Sequence, residues 1–270
     1  MIVLPAAMLA LLAAPAEPPG PAAGHSLRID YGGSLLGLPL MRATVQARLD
    51  GPRHSLRADF RSAGLAAMVK SLNVVAESQG IETAGGMKTW RYWHRESDGH
   101  KTRRLHMRYG ADAVQVEIEP PLYSMGEPPA SQAQRLEAMD PLSALLALTQ
   151  LPRNAAGWRC HGTIRVFDGK QRYDLALRSL GLSHVRTRAY RGQAEKCAVR
   201  YVPIAGYDAR ELHDPAAYAK PVYMWLATQA GQARAVPVRF SFDAPIGRFI
   251  ITARRLDLDA GAQGAMLHQN

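Results

Sequence analysis

The sequence predicts an all-β fold, mostly antiparallel, built as a curved sheet or incompletely closed β-barrel with one central helix at about 140–149. Three observations predict it. Apolar and polar residues alternate in a dozen or more short runs, at the roughly 8–12-residue spacing of sandwiches and barrels. Turn pairs such as Asp98-Gly99 and Asp168-Gly169 separate those runs as hairpin turns do. One stretch alone, Asp140-Pro-Leu-Ser-Ala-Leu-Leu-Ala-Leu148, reads as a firm helix. An apolar helix among strands has to be covered by them, so it is expected to plug or lid the sheet.

The elements follow in order. Leu27 to Tyr31 alternates as a strand, and Gly32-Gly33 and Gly37 are expected to break it. Met41, Ala43, Val45, Ala47 and Leu49 share one face of a second strand, and Asp50-Gly51-Pro52 turns it into a third over His54 to Phe60. Gly64 to Val75 fits either a helical turn followed by a strand or one long bent strand. Gly80 and Ala84-Gly-Gly86 are breakers. Strands follow over Lys88 to Arg95, Thr102 to Arg108 and Ala113 to Glu119. Pro120-Pro121 and Pro128-Pro129 bracket a long irregular connection to the helix.

In the helix, Asp140 suits the N-cap, where its carboxylate accepts from backbone N–H groups two or three residues on. Pro141 suits the first helical position, whose N–H is an orphan in any case. Leu142, Leu145 and Leu146, with Leu148 outlying, form an apolar stripe at helical spacing. Pro152 and Gly157 stop it. Trp158 to Phe167 and Gln171 to Arg178 flank Asp168-Gly169 as a hairpin. Val185 to Tyr190 reads as a short strand, and Lys196 to Pro203 as another ending in a turn at Ile204 to Tyr207. Asp214 to Lys220 reads as a loop. Val222 to Thr228, Ala235 to Phe242 and Arg248 to Leu258 complete the sheet. Pro237 in the second of these suggests an edge position or a strand start. Residues 259–270 read as a flexible tail.

The 270 residues are 47% hydrophobic and 21% charged, the balance of a folded globule, and one β domain over 26–258 accommodates them. Met1 to Ala14 is apolar over the length of a signal-peptide core, and Ala14-Pro15-Ala16 offers small residues for cleavage after Ala16. No Lys or Arg precedes the apolar run, a departure from the usual pattern. Residues 1–16 are therefore expected to be a signal peptide and 17–25 a linker, placing the mature protein in the periplasm. Cys160 and Cys197 are two cysteines in an exported chain, so a disulfide between two strands is the first reading and buried free thiols the second. Their separation, without C-x-x-C, argues against a metal site.

The net charge is +10. It favours polyanions, which in the envelope means lipid headgroups, lipopolysaccharide or glycans, with peripheral membrane contact; export makes nucleic acid a poor partner. The basic residues recur singly along strands, as on a solvated sheet face.

Several pieces in order carry a family resemblance: Tyr31 before Gly37-Leu-Pro39, the Asp140–Leu148 segment, Phe167-Asp-Gly-Lys170 leading to Tyr173-Asp-Leu175, Cys197-x-Val199, Pro203-Ile-Ala-Gly-Tyr207, Ala235-Val-Pro-Val-Arg239 and Gly247-x-Phe-Ile-Ile251. Together they resemble the DUF3108 family of exported bacterial proteins, roughly from Tyr31 to Leu256. The resemblance implies export and an all-β fold, and supplies no catalytic residues.

Candidate chemistry is sparse. Ser143 lies in no G-x-S-x-G and reads as an ordinary first-turn serine. His94, His100 and His106 are spaced by six, which fits no usual ligand pattern. Glu117 and Glu119 share a strand face as solvated carboxylates do. Trp90 and Tyr92 are expected on one face and Trp93 on the other. We expect a non-enzymatic binding or carrier module without cofactor or metal, whose groove would be lined by Trp90, Tyr92, Leu142, Leu145 and Leu146. The alternatives are an envelope scaffold that binds another protein or the cell wall and, third, a glycan- or lipid-active enzyme. The sequence sets no oligomeric state.

Overall fold

The structure, a computed structural model, describes residues 24–64, 67, 71–84, 86–212, 218, 220–228, 234–244 and 246–259. The expected signal peptide, most of the linker, most of the Asp214–Lys220 loop and the tail from residue 260 lie outside the described residues.

Thirteen strands form one sheet. The first seven are β1 (His25–Leu35), β2 (Leu38–Asp50), β3 (Arg53–Ser62), β4 (Asn73–Thr83), β5 (Gly86–Ser97), β6 (Thr102–Tyr109) and β7 (Val114–Glu119). Two helices follow, α1 (Gln132–Leu136) and α2 (Pro141–Thr149). Then come β8 (Thr163–Phe167), β9 (Arg172–Arg186), β10 (Arg191–Ala205), β11 (Val222–Thr228), β12 (Ala235–Ala244) and β13 (Gly247–Asp259). The spatial order is β7-β6-β5-β4-β3-β2-β1-β13-β12-β11-β10-β9-β8, and every neighbouring pair is antiparallel. Two meanders, β1–β7 and β8–β13, thus join where the first strand pairs with the last.

The sheet is not closed, so β7 and β8 are its edges. Unpaired edge groups recruit other chains unless covered. The connection between these two strands covers both. Gln132 on α1 accepts from the Val114 N–H of β7 at 3.0 Å. Met139 bonds Arg165 and Phe167 of β8 through its N–H and carbonyl, at 3.0 and 2.9 Å. Gly169, at the β8–β9 turn with φ of 108°, lies so close to the Leu105 side chain of β6 that a Cβ would overlap it. The turn of one edge hairpin therefore abuts the opposite end of the sheet.

The helix α2 fills the interior. Asp140 caps it, its Oδ1 accepting from the N–H groups of Leu142 at 2.9 Å and Ser143 at 3.1 Å. Leu142 and Leu146 pack in a core cluster with Tyr92, Leu105, Met107 and Phe167. Ala144 and Leu148 face a second cluster with Cys160, Val166, Met224 and Leu226. A third, around Ile29, Tyr31 and Val238, lies under the join of β1 and β13. Burial of each leucine stabilises by roughly 1.5–3 kcal/mol.

Local expectations differ from the structure in five places. β1 runs through Gly32-Gly33, because strands pair on both sides of them. β4 likewise includes Gly80. The Val185 run is the end of the long β9, not a separate strand, and Ile204 belongs to β10. Cys160 precedes β8 rather than lying in a strand. For Pro237 the second reading holds: β12 is interior, between β11 and β13, and Pro237 is its third residue. Pro237 is tolerated there because the pairing with β11 shifts beside it, and the registered pairs with β13 begin only at Arg239. A bulge relieves the ladder of the bond that proline cannot make.

Candidate functional site

The face of α2 toward β3, β4 and β5 carries a polar cluster inside the core. Ser78 and Thr89 donate to Asp140 Oδ2, at 2.8 and 2.6 Å. Ser143 Oγ lies 3.0 Å from Ser78 Oγ and 3.4 Å from His54 Nε2. Ser143 is 0% and His54 4% exposed. Since Ser78 and Thr89 spend their protons on the carboxylate, Ser143 donates to Ser78 and accepts from His54 Nε2–H. This tautomer, assigned from the bonding pattern, leaves His54 Nδ1 as an acceptor. That atom has no partner among the described residues, and an orphan donor there would cost more. Burial pushes the His54 pKa down, against the opposing pull of Asp140 and Glu82.

A serine and a histidine in contact, with an aspartate nearby, invite comparison with a hydrolase. The geometry differs in the decisive contact. In a catalytic triad the acid holds the histidine nitrogen that faces away from the serine. Asp140 instead caps its own helix and binds Ser78 and Thr89, and the His54 Nδ1 that it would have to hold has no partner among the described residues. The cluster clasps α2 to three strands. Sequence reasoning missed His54, Ser78 and Thr89. Each sits at an inward strand position, and no spacing in the sequence links them to Asp140.

The other anticipated residues disperse. Pairing between β4 and β5 slips at Gln79/Gly80, so Trp90 is an extra residue. This corrects the expectation that Trp90 and Tyr92 share a face: Tyr92 points into the core, and Trp90 is 44% exposed, with the Arg53 guanidinium 5.9 Å from its ring centroid. Tyr92, Leu142 and Leu146 are buried against one another's cluster, and the half-buried Leu145 packs on the second. They pack as core and do not gather with Trp90 around a groove. His94 touches the Tyr92 hydroxyl, His106 stacks on Trp93 and His100 is exposed. Glu117 and Glu119 pair with Arg108 and Arg104 on the solvated face. Cys160 and Cys197 form a disulfide with Cα atoms 5.7 Å apart. Glu195 lies against it, but accepts from the N–H groups of Arg159 and Cys160, and its sulfur neighbours are bonded to each other.

A pocket forms elsewhere, where the end of β10 meets the β7–β8 connection. Its volume is about 320 Å³, and its walls are mostly apolar, with Pro128, Pro203, Ile204, Leu212, Tyr207 and Tyr218 around it and Glu127 as its one charged lining residue. Backbone bonds between the two segments build it, Glu127 N–H to Tyr207 carbonyl at 3.0 Å and Gly206 N–H to Pro128 carbonyl at 2.9 Å. Gly206 has φ of 85°, and a Cβ there would overlap the Lys170 carbonyl. Only glycine fits such a left-handed, crowded position.

Tyrosines floor this pocket. Tyr173 stacks on Tyr201 with centroids 4.4 Å apart, and Tyr218 stacks on its other side at 5.6 Å. The Tyr201 and Tyr207 hydroxyls are hydrogen-bonded. Burial raises the pKa of both, so they stay neutral. Lys170 anchors the rim, bonding Asp208 and Glu211 at 2.8 Å each. Burial opposes its charge, yet the two carboxylates outweigh that and hold its pKa above the usual value. Ser124 Oγ also donates to Asp208. Lys170, Asp208 and Glu211 thus satisfy one another at the rim, and the cavity itself offers apolar walls with neutral hydroxyls and the exposed Glu127 at its edge.

An incompletely closed antiparallel sheet, plugged by a capped helix and stapled by one disulfide, defines the molecule as β-barrel-like. The chain belongs to the family described as protein of unknown function (DUF3108), whose model matches residues 26–254. No curated protein matches it. Among solved structures it is similar to the crystal structure of a β-barrel-like protein of the domain of unknown function DUF1849 from Brucella abortus. The identity is 9% and the TM-score 0.49, over 89% of this chain and 99% of that one.

Proposed function

We propose that this protein is a non-enzymatic binding module of the cell envelope, and that the pocket beneath Ile204 and Leu212 takes part of an apolar chain such as the acyl group of an envelope lipid. One observation carries the reading. Ile204 and Leu212 are each 42% exposed, at the mouth of a cavity whose other walls are two prolines, two tyrosines, Ala205 and the exposed Glu127. Concave, mostly apolar sites of roughly 300–1,000 Å³ with a few placed polar groups are where small ligands bind. This pocket is at the small end of that range. The ligand would leave its polar end in solvent, near the Lys170–Asp208–Glu211 rim. The disulfide supports an oxidising compartment, in keeping with the apolar leader-like run at Met1–Ala14.

The test is binding of a fluorescent fatty acid to the purified protein, with mass spectrometry of an organic extract. Bound probe and co-purified lipid are the expected results. Ile204→Glu, a change at a half-exposed site, should abolish probe binding while leaving the melting temperature near that of the parent. Absence of lipid from the extract together with no probe binding would overturn the reading.

A further inference from the structure

The outer face of β1–β4 is built from rows of side chains in strict register. One row runs Asp257, Arg28, Gln46, Arg57, Glu77 across β13, β1, β2, β3 and β4. Its charges are matched within the face: Arg28 pairs with Asp30, and Arg57 with Asp59 and Glu77. The flanking rows are not matched. Arg42 on β2 stands directly opposite Arg61 on β3, and neither has an ion-pair partner among the described residues. Like charges directly opposed across a strand pair are destabilising. Arg254 adds a third guanidinium beside them. It fills the space left by the missing side chain of Gly32, which is the β1 partner of Arg42. On the other side of the matched row, Arg48 is exposed and likewise without a carboxylate partner among the described residues.

Two concavities follow this face. One, of about 560 Å³, is lined by Arg28, Gln46, Arg48, Ser55 and Gln79, and by the carboxylates of Glu77 and Asp257. The second, of about 400 Å³, is lined by Arg28, Arg42, Thr44, Gln46 and Arg61, and by the carboxylate of Asp59. Each of these carboxylates is held by an arginine, Glu77 and Asp59 by Arg57 and Asp257 by Arg255. They share Arg28 and Gln46, so they are two ends of one trough. Arg42 and Arg48 are six residues apart on β2 and mark its ends, roughly 20 Å from one another at the rise of a strand.

We infer that this trough is a binding site for a strand of acidic polysaccharide, with the unpaired Arg42, Arg61 and Arg254 at one end and Arg48 at the other taking its anionic groups. The side chains between the guanidinium groups decide the class. Gln46, Ser55, Gln79 and Thr44 offer donors and acceptors suited to sugar hydroxyls. The trough lining contains no aromatic ring on which a nucleobase would stack, as single-strand binders require. It also presents no protruding apolar side chain to enter a bilayer, and a concave site fits a strand better than a flat membrane. The face is separate from the tyrosine-floored pocket, so the two sites stand or fall independently.

The experiment is fluorescence anisotropy with a labelled oligogalacturonide on the full chain at low and moderate salt. Expected are saturable binding that weakens with salt, and much weaker binding of a disaccharide, which cannot reach both ends. Arg42→Gln/Arg61→Gln should lose affinity about tenfold or more, as removal of two charge-assisted hydrogen bonds implies. Arg186→Gln/Arg188→Gln removes the same charge from exposed sites outside the trough and should bind as the parent does. Circular dichroism confirms that both variants fold. Equal loss in the two double variants would overturn the proposal, because net charge alone would then be at work. So would absence of binding, or equally tight, Arg42/Arg61-dependent binding of single-stranded DNA or of anionic phospholipid vesicles.

Discussion

Ser143 on α2 and His54 on β3 meet inside the core, Oγ to Nε2 at 3.4 Å, while the Ser143 N–H donates to Asp140 Oδ1 at 3.1 Å. The contact is a hinge pin between helix and sheet. Asp140→Ala removes the helix cap and leaves Ser78, Thr89 and two backbone N–H groups without their acceptor. A cap alone is worth about 1 kcal/mol, and orphaned buried donors add about 1–3 kcal/mol each. Denaturant unfolding should therefore show a loss of several kcal/mol. Ser143→Ala, which removes the serine's contacts with Ser78, Thr89 and His54 but keeps the helix cap, should cost clearly less.

The same clasp sets an acid dependence. Burial lowers the pKa of His54 and of His94 in the folded chain. Below about pH 6.5, the unperturbed histidine value, the unfolded chain binds protons at these rings that the folded chain refuses. Stability therefore falls as pH drops from 6.5 toward the lowered folded-state values. Melting temperatures from pH 7.5 to 4.5 should show that decline, and His54→Gln should flatten it. An unchanged slope in the variant would remove His54 from the account.

Arg172 is the largest fully buried side chain, 2% exposed. It binds Asp174, Glu137 and the carbonyls of Gln134 and Tyr173, which ties α1 to β9. Breaking one side of a buried ion pair costs roughly 3–5 kcal/mol. Arg172→Met should lose about that much in urea melts, and Arg172→Ala more, since it also loses the packed stem.

The disulfide closes a separation of 37 residues, worth about 4 kcal/mol in the chain-entropy model. Cys160→Ser/Cys197→Ser should lower the melting temperature and make it indifferent to reductant, whereas the parent should lose the same amount on reduction.

Legibility in the sequence followed the range of the interactions. The α2 cap was readable because Asp140, Pro141 and the leucines lie within nine consecutive residues. Hairpins at Asp98-Gly99 and Asp168-Gly169 were readable for the same reason. α1 carried a readable signal too, the capping box in which Ser131 and Gln134 bond each other's backbone, but it was passed over inside a proline-rich connection. Trp90 was misplaced because a bulge is a property of two strands, and nothing in β5 alone announces that Gln79 and Gly80 will skip a residue. The same holds for Pro237, whose neighbour across the ladder decides its fate. The tyrosine pocket was invisible as a site. Tyr173, Tyr201, Tyr207 and Tyr218 come together only when β9, β10 and the segment after them fold over the β7–β8 connection. Yet its Pro203–Tyr207 wall was one of the stretches that marked the family.

Strand β1 is paired with β13, Ser26 opposite Asp259. During synthesis the leading meander can form hairpin by hairpin, but its first strand must wait, one edge bare, for the final thirteen residues of the sheet. Completion therefore waits for the last strand. Once paired, the start of β1 and the end of β13 lie side by side. A circular permutant that links Asp259 to His25 and opens within residues 120–127 should rebuild the same sheet with its two meanders made in the reverse order.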